Sequence, residues 1–225
     1  MKVGQAFVEK TQPPALAPKV YPPAPALLST NTMDLATGTA TAFVGWFGVG
    51  VDRYQEQTRA DGSFDQPVDI SRAQPNNVYR PVRPGSTYQF FVRGYYGQNN
   101  TTTWARSAAF KPVVVDDNLS TNGWSNVSGK NAYGGTLSYT RTGSVTYTVT
   151  GFAMAVVAPV YPGGGAADVS IDGIRVRPIS FDSLITQPGR LVLSWYWPSG
   201  GRHTVTLTPT SGLLEIDAHL VLTQA

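Results

Sequence analysis

Apolar and polar residues alternate with a period of two over much of this chain. Tyr88, Phe90 and Val92 share one phase, and Gln89, Phe91 and Arg93 share the other. Val145, Tyr147 and Val149 alternate in the same way with Thr146, Thr148 and Thr150. Val169 and Ile171 are in phase ahead of Asp172-Gly173, and Ile174 and Val176 follow, which predicts a hairpin. Val205 with Leu207 and Leu214 with Ile216 supply closing strands. Turn signals separate these runs at Thr37-Gly38, Asp61-Gly62, Gln74-Pro75-Asn76-Asn77, Pro84-Gly85 and Gln98-Asn99-Asn100. No stripe of apolar residues at helical spacing appears, so the pattern predicts an all-β chain of short strands with one buried and one wet face.

The stretch from Val82 to Gly94 is the most specific. Pro84-Gly85 makes a tight turn, and Tyr88 opens the strand after it. A Tyr placed so bonds back to the chain through its hydroxyl while its ring joins the core. With Trp104-Ala105-Arg106-Ser107 downstream, Ala42 to Phe47 with Trp46 upstream, and Tyr54-Gln55-Glu56-Gln57 before Asp61-Gly62, this region resembles a fibronectin type III domain over residues 26–113. Gly45 beside Trp46 and the segment Gly48-Val49-Gly50 depart from that pattern. The resemblance implies a β-sandwich with Trp46 and Trp104 in or at the edge of its core, and it implies little about function.

Residues 114–225 carry a different set of landmarks. They are Gly123-Trp124, Tyr133-Gly134-Gly135, the Gly143-led strand, Val169 to Gly173, Gly201-Arg202-His203-Thr204-Val205, and Asp217-Ala218. In order and spacing these resemble a galactose-binding-like jelly roll, the fold of many carbohydrate-binding modules. The expected architecture is therefore two β-sandwiches, with the joint near residues 112–117. Ahead of them, residues 1–25 contain Pro13, Pro14, Pro18, Pro22, Pro23 and Pro25, which predicts an extended arm of polyproline type. Such an arm suits either a flexible lead-in or docking on a partner subunit.

Composition narrows the function classes. The chain has 225 residues and 41% hydrophobic content, enough for two cores. No apolar run reaches the roughly 18 residues of a membrane helix, and residues 151–162 fall well short. The net charge is +3, and no basic cluster stands out along the sequence, so no nucleic-acid partner is expected. There is no Cys, which removes disulfides, thiol catalysis and thiolate metal sites. The first ten residues lack the apolar core of a secretory signal.

Catalytic chemistry finds little material. His203 and His219 are the two histidines, both expected to pack or to hydrogen-bond structurally. A triad drawn from a Ser, His203 and Asp217 lacks a nucleophile elbow. The carboxylates are scattered, whereas a glycosidase needs two acids facing across a cleft. Asp116, Asp117 and Asp172 read as turn and capping residues, with Ca²⁺ ligation as their alternative. What remains is aromatic. Leu191, Leu193, Trp195 and Trp197 share a phase that begins with Leu and so faces the core and takes Trp195 with it, which turns Tyr196 outward and leaves Trp197 at a loop mouth. Trp197 adjoins Pro198-Ser199-Gly200-Gly201, and Tyr161 adjoins Pro162-Gly163-Gly164-Gly165, two loops expected to meet at one end of a jelly roll. Tyr161, Tyr196 and Trp197 are thus the candidate glycan-binding residues, because sugar C–H faces stack on rings.

The expected function is that of a non-catalytic virion structural or adhesion protein, a phage tail or capsid-surface subunit. In that reading it assembles in many copies with other virion subunits through its arm and touches cell-surface saccharide. The alternative is an accessory carbohydrate-binding region of a secreted bacterial glycan-active enzyme.

Overall fold

The computed structural model describes residues 17–29, 31–120, 122–129 and 131–225. Its principal strands begin with β1 (Ala24–Leu27), β2 (Ala40–Gly45), β3 (Arg53–Ala60), β4 (Asn77–Val82), β5 (Tyr88–Tyr96), β6 (Phe110–Asp116) and β7 (Thr136–Thr140). They continue with β8 (Val145–Thr150), β9 (Ala153–Val160), β10 (Ala166–Ile171), β11 (Ile174–Ser180), β12 (Gln187–Tyr196), β13 (Arg202–Ser211) and β14 (Ala218–Gln224). A single 3₁₀ turn, Tyr133–Gly135, is the helical content of the described residues. The chain is all-β, as its alternation dictates.

The larger sheets stack in three layers, and a separate three-stranded sheet joins Ser125–Ser128, β7 and Leu214–Ile216. One outer sheet has the order β1-β2-β4, and the other has the order β8-β13-β10-β11. Between them runs a ten-stranded sheet with the path β12-β9-β14-β6-β5-β3, ending on Ser63–Phe64. Two β-sandwiches thus share their middle sheet. The apolar run in β9 explains itself here. Met154, Val156 and Ala158 join a core with Val145, Tyr147, Val205 and Leu207 of the second sandwich. Ala153, Ala155 and Val157 join the opposite core with Leu27, Ala42, Val44 and Val82. A strand covered on both faces has no wet positions, so it reads as continuously apolar.

The expected joint is itself a strand. β6 pairs with β14 from Phe110↔Gln224 to Asp116↔Ala218, and Phe110 also pairs with Tyr88 of β5. The Ala225 N–H bonds the Ala109 carbonyl. By antiparallel alternation, Pro112 then turns its nitrogen away from β14 to the open side, where a missing N–H costs no ladder bond.

The described part of the expected arm, residues 17–25, includes strand. Lys19–Val20 pairs with Gly48–Val49, and β1 pairs with β2 from Ala24↔Gly45 to Leu27↔Ala42. Val20 and Pro25 are buried, so this stretch belongs to the first sandwich. Its prolines are accommodated because β1 is the edge of its sheet. Residues 1–16 lie outside the described residues.

Candidate functional site

The seam between the sandwiches opens into a groove of about 690 Å³. Pro22 to Pro25 form one wall. The turns at Thr150-Gly151-Phe152 and Pro198-Ser199-Gly200-Gly201 also line it, as do Ala108, Thr223 and Gln224. The two turns are clamped together. Gly151 and Gly201 exchange N–H···O bonds of 2.9 and 3.1 Å, and the Trp197 N–H donates to the Phe152 carbonyl at 2.7 Å.

Tyr196 lines this groove and is 36% exposed. Phe152 meets its ring edge-on, with centroids 6.5 Å apart and planes at 79°. Phe152 in turn stands edge-on to buried Phe110 at 5.7 Å. Tyr196 is therefore an outward ring tied through Phe152 into the core of the first sandwich. Its direction follows from regular alternation with Leu193 and Trp195, while an irregularity in β12 re-aims the residues before them. Val156 pairs with Leu193 but Val157 pairs with Leu191, so Val192 is extra. Leu191 consequently faces the first sandwich and Leu193 the second, although spacing alone put them on one face. Trp195 and Trp197 follow Leu193, and Tyr196 emerges on the seam side.

The other two expected site residues lie elsewhere. Trp197 does not stand at a loop mouth. It is 7% exposed, belongs to the second core, and stacks face to face on His203 at 4.3 Å and 5°. The phase of Leu193 simply persists past the strand end. Tyr161 follows β9, while Tyr196 pairs with Ala153 at its start. Eight residues of strand separate these ends by about 26 Å. The Tyr161 hydroxyl is buried beside Glu215, and burial first, then that carboxylate, push its pKa up to about 12. Its glycine loop is no mobile mouth either. A side chain at Gly164 would strike the Phe181 carbonyl and one at Gly165 the Ser211 carbonyl, so these glycines permit close backbone packing. Of the three candidates, only Tyr196 reaches the groove. Phe152 and the proline wall were missed in sequence, because they come from segments that meet only through the shared sheet.

Both histidines are paired through Nδ1, while among the described residues His203 Nε2 and Asp116 Oδ1 are buried without a hydrogen-bond partner. The His203 Nδ1 pairs with Asp172 at 2.8 Å, and the His219 Nδ1 pairs with Asp117 at 2.7 Å. Tyr147 donates to the second oxygen of Asp117 at 3.2 Å. The carboxylate of Asp217 accepts the Tyr133 N–H at 2.8 Å, so it forms no triad with His203. Asp172 sits in the β10–β11 hairpin bonded to Thr204 and His203, apart from Asp116 and Asp117 at the end of β6. The three do not converge, and no cluster of three or more potential ligands fit for a metal occurs among the described residues.

No family model and no curated protein sequence matches the chain. Among solved structures, a family two carbohydrate esterase from Cellvibrio japonicus is similar at 16% identity and a TM-score of 0.38, covering 51% of this chain and 34% of that one. An exo-β-1,3-galactanase from Phanerochaete chrysosporium, solved with galactose, is similar at 14% identity and 0.32, covering 88% and 56%. A conserved protein of unknown function from Pseudomonas aeruginosa is similar at 12% identity and 0.28, covering 93% and 100%. The chain thus spans about a third and just over half of the two enzymes. Likeness this distant carries no argument about activity, and the fold rests on the strands themselves.

Proposed function

We propose that this chain is a non-catalytic saccharide-binding module, of the accessory kind that accompanies bacterial glycan-active enzymes. In this reading a fibronectin type III-like sandwich and a galactose-binding-like jelly roll are fused through one sheet. The observation that carries it is the seam groove with Tyr196 held over Phe152. Its volume lies in the range of small-ligand sites, roughly 300–1,000 Å³. Its walls are prolines and glycines that present flat C–H and backbone surface, and Thr150, Ser199, Thr223 and Gln224 supply hydrogen-bonding groups along its lining. A sugar ring lies with its C–H face on Tyr196 and its hydroxyls toward those groups. One ring contact contributes on the order of 1 kcal/mol, and together with the hydrogen bonds along the lining the expected single-site affinity is about millimolar, or about 4 kcal/mol.

Weak single-site binding also suits the virion reading, in which many copies on one particle act together. The two differ in what the chain is attached to: a catalytic domain in the first, a multicopy particle in the second.

The test is electrophoresis in native gels containing xylan, β-1,3-galactan or β-glucan. The wild type is retarded in at least one gel, and Tyr196→Ala migrates there as in a blank gel while melting within a few degrees of wild type. Equal retardation of both proteins, or none in any gel, overturns the proposal.

A further inference from the structure

A second surface stands on the outer face of the middle sheet, in the first sandwich. Along β3 and β5, Tyr54, Glu56, Thr58, Phe90 and Val92 are buried, so the residues between them face outward. The register sets Arg53 opposite Tyr95, Gln55 opposite Arg93, Gln57 opposite Phe91 and Arg59 opposite Gln89. The short strand Ala105–Arg106 adds Arg106 opposite Phe91. Four arginines scattered over more than fifty positions of sequence thereby share one face.

Three of them lie over aromatic rings. The Arg53 guanidinium is 3.9 Å from the Tyr95 centroid. Arg93 is 4.6 Å from that of Trp104 and 5.5 Å from that of Tyr95. Arg59 is 5.6 Å from that of Phe64. Their hydrogen bonds go to neutral acceptors: Arg53 donates to Asn99, Arg93 to Gln55 and Arg59 to the Gly62 carbonyl. Among the described residues, none of the four forms a salt bridge with a carboxylate. Asp69 accepts from Gln55, which in turn accepts from Arg93, so this carboxylate meets that arginine only through a neutral side chain. Four positive charges therefore stand along about 20 Å of strand without a direct carboxylate partner, three of them with guanidinium planes set over rings.

We propose that this face binds an acidic polysaccharide, one carrying carboxylate or sulfate groups. Fixed guanidinium planes present paired N–H donors that match such anions. Positive charge repeated along a flat strand face complements negative charge repeated along a linear chain. Single-stranded nucleic acid fits less well, since bases need bare ring faces to stack on and Tyr95, Trp104 and Phe64 each have a guanidinium over one face. The surface is independent of the groove, and either reading can fail without the other.

The test measures binding of the whole protein to polygalacturonate, to neutral dextran and to a single-stranded DNA oligonucleotide over a range of salt concentrations. Polygalacturonate binds, its affinity falls as salt rises, and dextran does not bind. The pairs Arg53→Gln with Arg93→Gln and Arg59→Gln with Arg106→Gln each weaken binding about tenfold or more. Should the first pair misfold, the second decides, because Arg59 and Arg106 are exposed. Unchanged affinity in a folded pair variant, equal binding of dextran, or tighter binding of DNA overturns the assignment.

Discussion

The phenolic oxygen of Tyr88 accepts a hydrogen bond of 3.1 Å from the backbone N–H of Arg83, across the turn at Pro84-Gly85. The bond pins the end of β4 to the start of β5, and the Tyr88 ring stacks on Phe110 at 5.8 Å. Phe110 leads through Phe152 to Tyr196, so a line of rings joins this corner to the groove. Tyr88→Phe keeps the ring and loses the bond. The expected destabilisation is about 0.5–1.5 kcal/mol, read from urea unfolding. Stability equal to wild type would mean the corner bond contributes nothing.

Trp197 and Tyr196 are neighbours with opposite roles. Trp197→Ala empties a buried site against His203 and is expected to cost about 3–5 kcal/mol. Tyr196→Ala removes a half-solvated ring and is expected to cost about 1 kcal/mol or less. Thermal melting of the two variants separates them. Similar melting temperatures would place Trp197 outside the core.

Glu56 is 0% exposed, accepts a bond from Thr58 at 3.0 Å, and is paired with Arg80. Arg80→Ala leaves that carboxylate buried without its cation. The expected loss is about 3–5 kcal/mol. The double variant Glu56→Gln with Arg80→Ala recovers part of it, because the uncompensated charge is gone. A double variant less stable than Arg80→Ala alone would contradict this account.

Asp217 gives stability a pH dependence. Burial, opposed by the Tyr133 N–H and reinforced by Asp116 and Asp117, raises its pKa to about 7. In the unfolded chain it titrates near the ordinary carboxylate value. Between about pH 4 and about pH 7 the folded state therefore holds a proton that the unfolded state has lost, so stability falls as pH rises through that window and levels off above it. Asp217→Asn keeps an acceptor for Tyr133 and removes this slope. Urea midpoints of wild type and variant measured across the window are expected to diverge as pH rises, the variant being the more stable at the upper end. Parallel curves would contradict the shift.

Much of the fold was legible because period-two alternation reports which face of a strand is wet. Val145-Tyr147-Val149 and Tyr88-Phe90-Val92 are buried where their phase puts them. Alternation is silent where both faces are covered, and so β9 read only as an apolar run. Pro112 and the prolines near β1 read as breaks, since sequence does not tell an open sheet edge from a linker. The extra residue at Val192 reversed a phase within one strand, and no local signal marks it. Tyr196 was legible from its place beside Trp195, whereas its partner Phe152 and the proline wall reach it only through tertiary pairing. The arginine face was invisible for the same reason, as its members sit on three separate strands.

The most direct test of saccharide binding at the seam is a heteronuclear NMR titration of the whole protein with the oligosaccharide of whichever polysaccharide retards it in gels. The account predicts shifts concentrated at Gly151, Phe152, Tyr196 and Ser199, saturating in the millimolar range, and absent in Tyr196→Ala. Shifts centred on Tyr161 or on the arginine face, with the seam amides unmoved, would contradict it.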